Sequence, residues 1–248
     1  YGSDVFYSGT IGEDIISTVR NVKVNPGKLS KIDLLNYEVK ERIPICSLYR
    51  KYKVCGMGPP SSGAITISQI LGIVERYDLS KLGYNNSETW RIIGDASRLA
   101  FADRGKYIAD SDFVDVPIDK LIDKKYLKFR SNKLETKMKI PEIKPGSILH
   151  KETSSYIYAN SLELPSTTHI SIVDKYGNAL SMTSTIESSF GSRLMTNGGF
   201  LLNNELTDFS FQKEKKGKRV ANNIEPNKRP RSSMAPTIIF KNDEPLFI

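Results

Sequence analysis

The period of the side-chain pattern changes at residue 167, and this change constrains the fold more than any other feature. Upstream, apolar residues recur at helical spacing. Ile11, Ile15, Ile16 and Val19 mark one helix, and Trp90, Ile93, Ala96, Leu99 and Ala100 mark a longer one starting at Ser87-Glu88. Ser61 or Ser62 is a good N-cap for an apolar helix over 65–77. Residues 29–39 predict a short helix leading into a strand, 44–49 and 52–57 a hairpin, and 111–130 a strand-like patch followed by a helix. Downstream, Thr167-Thr168-His169-Ile170-Ser171-Ile172-Val173 alternates as a strand, Asp174 to Asn178 is turn sequence, and 179–186 alternates again. Residues 200–202 and 237–240 read as further strands. Between the two regimes, 131–165 is polar, rich in Lys, Pro, Ser and Thr, and weakly periodic, as a linker or mobile loop is. Helices first and strands later predict a mixed α and β protein of packed layers.

Composition narrows the function classes. With 248 residues, 39% hydrophobic and 26% charged, the chain can bury a sizeable core and is not a disordered type. No apolar run reaches the roughly 18 residues of a membrane-spanning helix. Lys plus Arg, 36 against 28 acids, leave a net charge of +8. A nucleic-acid partner is set aside, because the lysines spread along the whole chain and their densest run, 213–219, reads as a solvated surface loop. Tyr1 opens the sequence without a basic and then apolar leader, and its first residues read like the middle of a domain, as in an internal fragment.

Cys46 and Cys55 flank the predicted hairpin. With Arg50-Lys51 as a two-residue turn, 46 faces 55 in the closer, non-hydrogen-bonded type of pair. That geometry suits a cross-strand disulfide, which would point to an oxidising compartment. Two small hydrophobes buried in a strand pair are the plain alternative. Two separated histidines and no Cys-x-x-Cys offer no basis for a zinc site. Gly58-Pro59-Pro60-Ser61-Ser62-Gly63 has the spacing of a phosphate loop, but Ala64 and Ile65 stand where Lys and Ser or Thr are needed.

The block Pro165-Ser166-Thr167-Thr168-His169 holds the most chemistry. A Thr hydroxyl needs a base close by, and a Thr at a chain N-terminus carries its own α-amine, with a pKa near 8. Cleavage of the Ser166–Thr167 bond would create one. If the loop 175–177 has three residues with Gly177 left-handed, 174 faces 178 and Thr167 faces Thr185, where two Thr hydroxyls can hydrogen-bond. A four-residue loop would break this register, and a hairpin with solvent-facing Thr is the plain alternative.

These strings resemble the γ-glutamyltranspeptidase family of the N-terminal nucleophile hydrolase superfamily. The match includes Gly58 to Gly63, Ala100-Phe101-Ala102-Asp103-Arg104, Asp112 to Pro117, Thr167-Thr168-His169, Gly199 to Glu205 with Asp208-Phe209, and Pro226 to Pro230 followed by Ser232-Ser233-Met234. The resemblance implies an α+β fold, a partial four-layer αββα sandwich. It implies self-cleavage at Ser166–Thr167, with 1–166 as the C-terminal part of a large subunit (130–166 a flexible pre-cleavage linker) and 167–248 as the N-terminal part of a small one. Thr167 would be the nucleophile and Thr185 the residue that positions it. Glu205 and Asp208 would hold a substrate α-amine, as two carboxylates satisfy an ammonium. Ser232 and Ser233 would hold its α-carboxylate. The implied reaction is γ-glutamyl transfer from glutathione or another γ-glutamyl amide to water or to an acceptor amino acid or peptide, with no metal or organic cofactor. The partners implied are that substrate, the acceptor and the two subunits of one precursor.

Two departures qualify the resemblance. Glu187 stands where many members have Asn, and Thr185-Ile186-Glu187 with Gly191 is similar to the cephalosporin-acylase-like branch. An acid there would favour an ammonium and could alter what is accepted. Arg231 replaces a usual apolar residue beside the serine pair, either placing a cation near the carboxylate turn or pointing to solvent. The family's carboxylate-binding Arg and oxyanion glycines would fall upstream of Tyr1 and beyond Ile248, so the 248 residues alone are expected to be nearly inactive. A glutaryl or cephalosporin-type acylase, or an inactive fragment of such an enzyme, is the alternative. A periplasmic or extracellular location is what family resemblance favours.

Overall fold

A computed structural model describes residues 2–136, 138–148, 155–159 and 166–248. The chain divides into two compact units, Tyr1–Arg42 with Leu164–Thr168 and Ser184–Glu205, and Ile43–Glu163 with His169–Thr183 and Leu206–Ile248. Each unit interleaves segments from both sides of the 166–167 bond.

The first unit carries helices α1 (Asp4–Tyr7), α2 (Thr10–Arg20) and α3 (Lys31–Leu35). α2 follows the expected spacing and buries Ile15. α3 begins with a capping box, the backbone N–H of Ser30 donating to the Asp33 carboxylate at 2.8 Å. The strand expected after α3 does not form. Val39 and Ile43 are exposed and meet no partner strand, so alternation alone did not suffice there. Asp14 on α2 accepts from the backbone N–H groups of Asn197 (3.1 Å) and Gly198 (2.8 Å), tying the 196–199 turn to the helix.

The second unit holds the helices α4 (Gly63–Val74), α5 (Leu79–Leu82), α6 (Ser87–Tyr107), α7 (Ile118–Leu121) and α8 (Lys124–Ser131). Among the described residues the strands are β1 (Ile45–Tyr49), β2 (Tyr52–Gly56), β3 (Thr167–Val173), β4 (Ala179–Thr185), β5 (Glu214–Lys215), β6 (Lys218–Arg219), β7 (Thr237–Lys241) and β8 (Glu244–Phe247). β1, β2, β7 and β8 form one antiparallel sheet in that order, and β3 pairs with β4. Cys46 lies opposite Cys55 and the two are joined, S–S 2.06 Å. β8 was not foreseen; Asn242 and Asp243, both left-handed at φ 54 and 62, make the tight turn that returns it along β7.

Two apolar clusters form the core of this unit. One gathers Ile65, Tyr107, Ile108, Val114 and Leu121, the other Ile73, Ile92, Leu99, Leu127 and Leu134. Also in the interior is a polar knot. The Asp103 carboxylate accepts from Arg130 (3.1 Å), the Gly146 N–H (2.7 Å), Gln69 (3.1 Å) and the Tyr126 hydroxyl (2.6 Å). Four donors offset part of the cost of withdrawing the charge from water, and burial still holds the Asp103 carboxyl above its ordinary value.

Some sequence expectations need correction. Trp90 is not on the buried stripe of α6; it is 61% exposed and its indole N–H donates to the Tyr84 carbonyl, because the buried face runs through Thr89, Ile92, Ala96, Leu99 and Asp103. α4 starts at Gly63 with Ser62 at the N-cap position, as expected, but the Ser62 side chain makes no cap bond and donates instead to the Ser232 carbonyl. Residues 200–202 form only an isolated bridge, Met195 to Leu201, and 111–117 hold no strand. Within the stretch read as a linker, Ile140 N–H donates to Asp95 and Gly146 lies between Tyr107 and Asp103, so 138–148 is bound to α6. Residues 149–154 and 160–165 lie outside the described residues. Among the described residues no helix is long and apolar enough to cross a membrane.

Candidate active site

The β3–β4 hairpin sets the geometry. The Asp174 N–H donates to the Asn178 carbonyl at 3.0 Å across a loop in which Gly177 has φ +85. The three-residue loop therefore exists, and the register carries to the open end. His169 Nδ1 is 2.8 Å from Thr183 Oγ1, and Thr167 Oγ1 donates to Thr185 Oγ1 at 3.2 Å.

The open end belongs to the first unit, where several side chains converge on Thr185. Its oxygen also accepts the Glu187 N–H at 2.9 Å, and its own hydroxyl reaches the Ser166 carbonyl at 3.4 Å. Ser166 Oγ donates to the Glu187 carbonyl. Glu187 is buried and left-handed, φ 71; Asn204 (2.5 Å) and the Ser188 hydroxyl (2.7 Å) donate to its carboxylate. A cavity of about 520 Å³ lies here, lined by Ser166, Ser188 to Arg193 and Asn204. Glu205, in the same unit, starts a short 3-10 helix, Glu205–Asp208.

The second unit holds the remaining predicted residues. Asp208 is buried, and the Asn222 amide spans from it to the serine turn: Nδ2 donates to the Asp208 carbonyl at 2.7 Å and Oδ1 accepts the Arg231 N–H at 2.9 Å. Arg231 does not point to solvent; it is 3% exposed and donates to the Arg104 carbonyl at 3.2 Å. Ser232 and Ser233 follow it. Ser232 Oγ accepts the Met234 N–H at 3.1 Å, and Ser233 Oγ accepts from the Arg104 guanidinium at 2.7 Å.

Sequence reasoning missed Asn222, for which no local signal existed, and gave Arg104 no role although it closes a quoted motif. Among the described residues no group of three His, Cys, Asp or Glu could hold a metal ion.

Helices and antiparallel sheets in this arrangement make an α+β protein. The chain superposes on cephalosporin acylase from Bacillus halodurans with a TM-score of 0.78 over 98% of this chain and 40% of that one, at 23% identity, which shows the N-terminal nucleophile hydrolase fold. The γ-glutamyltranspeptidase family model matches residues 1–248, and the chain belongs to that family. It is 39% identical over 249 aligned residues to the glutathione hydrolase proenzyme of Escherichia coli, covering 97% of this chain and 40% of that protein. It is 33% identical to the acylase ACY 1 proenzyme of Pseudomonas sp. SE83, covering 97% and 39%. The chain thus spans about 40% of the length of the curated relatives it matches.

Proposed function

We propose that the natural protein carrying this sequence cleaves γ-glutamyl amides through an ester on Thr167, formed after the Ser166–Thr167 bond is cut. Residues up to 166 then belong to a large subunit and those from 167 to a small one. The observation that carries the reading is the bond between the Thr167 and Thr185 hydroxyls at the hairpin's open end, 3.2 Å, with Ser166 immediately before it. Family membership supports it.

In the first step Thr167 Oγ attacks the γ-carbonyl carbon, and the freed α-amine of Thr167 takes the hydroxyl proton. The C–N bond breaks and that proton leaves on the amine; from glutathione the leaving group is cysteinylglycine. Water then adds to the ester and releases glutamate, or an acceptor amine adds and forms a new γ-glutamyl amide. Either route regenerates Thr167. Glu205 and Asp208 are assigned to the substrate ammonium, and Ser232 and Ser233 to its α-carboxylate. Intact-mass analysis with N-terminal sequencing tests the reading. Two pieces meeting at Ser166–Thr167, and a single uncut chain for Thr167→Ala, are expected. An uncut natural protein that also fails to hydrolyse a γ-glutamyl anilide overturns it.

A second reading, an acylase acting on glutaryl-type amides, is favoured by Glu187 and by the likeness to acylase ACY 1. The Glu187 carboxylate already has Asn204 and Ser188 as donors, so it need not meet a substrate ammonium. Comparing γ-glutamyl and glutaryl anilides separates the two, since only the first has an ammonium for Glu205 and Asp208.

A further inference from the structure

Two of the motifs that identify the family have no role in the chemistry above: the turn 58–63 and the string ending in Arg104. They meet at the serine pair. The Ser62 N–H and its hydroxyl both donate to the Ser232 carbonyl, at 2.9 and 2.8 Å, and the Ser232 N–H donates back to the Pro60 carbonyl at 3.0 Å. Ser61 Oγ donates to the Met234 carbonyl. The backbones approach so closely that a Cβ on Gly63 would lie 2.6 Å from Ala235 Cβ. Into this clasp α6 sends Arg104, 4% exposed, whose Nε donates to Ser62 Oγ and whose Nη2 donates to Ser233 Oγ, each at 2.7 Å.

We propose that Arg104 is a positioning residue for carboxylate recognition, setting the place and the hydrogen-bonding polarity of Ser233 through a guanidinium shared with Ser62. A guanidinium only donates. Ser233 Oγ must therefore accept from it, and the Ser233 proton is turned to another partner. Ser232 is turned the same way, because its oxygen accepts the Met234 N–H. Both hydroxyls are thus turned to donate their protons elsewhere, the polarity a carboxylate requires and a donor such as an ammonium could not use. The buried positive charge beside them favours an anion further. Arg104 acts through the serine without touching the ligand. The inference rests on the carboxylate role proposed for Ser232 and Ser233.

The test is calorimetric binding of L-glutamate and of 4-aminobutyrate, the same molecule without its α-carboxylate, to the natural protein carrying this sequence. The unaltered protein should prefer glutamate. Arg104→Lys, which keeps a charge but loses the two-pronged geometry, should cut that preference about tenfold and leave 4-aminobutyrate binding unchanged, as loss of a charge-assisted hydrogen bond does. In a Ser233→Ala background, Arg104→Lys should change the preference no further. Arg130→Gln, an equally buried arginine away from the serines, should lower stability without moving the ratio. Equal weakening of both ligands, an effect of Arg104→Lys that persists in Ser233→Ala, or no preference in the unaltered protein overturns the inference. Binding needs no chemistry, so a protein that binds as expected yet turns over no γ-glutamyl anilide overturns the proposed activity and leaves this inference standing.

Discussion

Thr185 receives two hydrogen bonds and directs the third: its oxygen accepts from Thr167 Oγ1 at 3.2 Å and from the Glu187 N–H at 2.9 Å, and its hydroxyl points to the Ser166 carbonyl at 3.4 Å. The residue therefore touches both the proposed nucleophile and the carbonyl of the bond proposed to be cut.

Removing that hydroxyl should impair both events. Thr185→Ala is expected to slow cutting at 166–167 and later turnover by roughly 10- to 100-fold, the worth of one or two well-placed hydrogen bonds. Thr185→Ser should restore most of the rate, because it keeps the hydroxyl. Time-resolved mass spectrometry reads the first event and anilide hydrolysis the second.

The Asp103–Arg130 pair should carry stability rather than activity. Both side chains are at most 1% exposed, with 3.1 Å between them. Burial pushes the Asp103 carboxyl upward, while Arg130 and the other three donors pull it down. Arg130→Gln leaves a buried carboxylate without its cation and should cost about 3–5 kcal/mol. Urea unfolding measures the loss.

Alkaline pH should weaken the fold, because the buried tyrosines ionise less readily in the folded chain than in the unfolded one. Burial pushes the Tyr107 phenol up to about 12, with the Asp103 charge adding to it, and its hydroxyl donates to the Gly146 carbonyl at 2.6 Å. Tyr126 is pushed up by burial too. A folded-state value above the unfolded one means that the contribution is whole below about pH 10 and fades as pH rises through about 12. For Tyr107 the fading part is on the order of 2 kcal/mol. Unfolding free energies from pH 8 to 12 should fall, and Tyr107→Phe should flatten the fall.

Gly191 has no room for a side chain. It has φ +51, and a Cβ there would lie 2.1 Å from the Leu202 carbonyl oxygen, which the Ser192 N–H needs at 2.8 Å. Gly191→Ala should destabilise by about 1–3 kcal/mol from backbone strain, with the clash added. Hydrogen exchange at Ser192 and Leu202 should rise, and cutting at 166–167 should fall with it.

The legible parts of the fold were those written at short range. The 45–56 hairpin, the α6 span and the 167–185 register each follow from a local period and a turn of known length, so Cys46 opposite Cys55 and Thr167 opposite Thr185 could be counted out on the sequence. Trp90 shows where counting fails. Its spacing fits the helix, but the apolar face is chosen by what packs on α6, and the indole lay just outside it. Ser62 shows a second limit: it stands at the N-cap of α4 as its sequence suggests, but its side chain goes to a carbonyl 170 residues away.

Sequence by itself determined the mixed α and β class, the 45–56 and 167–185 hairpins, and the residue types from which the family and its proposed chemistry are read. Those depend on periodicity and turn chemistry within a dozen or so residues, where the chain has few ways to disagree. Only the tertiary structure decided that Arg104 reaches Ser62 and Ser233, that Asn222 links Asp208 to Arg231, and that Arg231 is buried. Buried polar groups must find partners wherever the fold brings them, and separations such as the 129 positions between Arg104 and Ser233 leave no local trace.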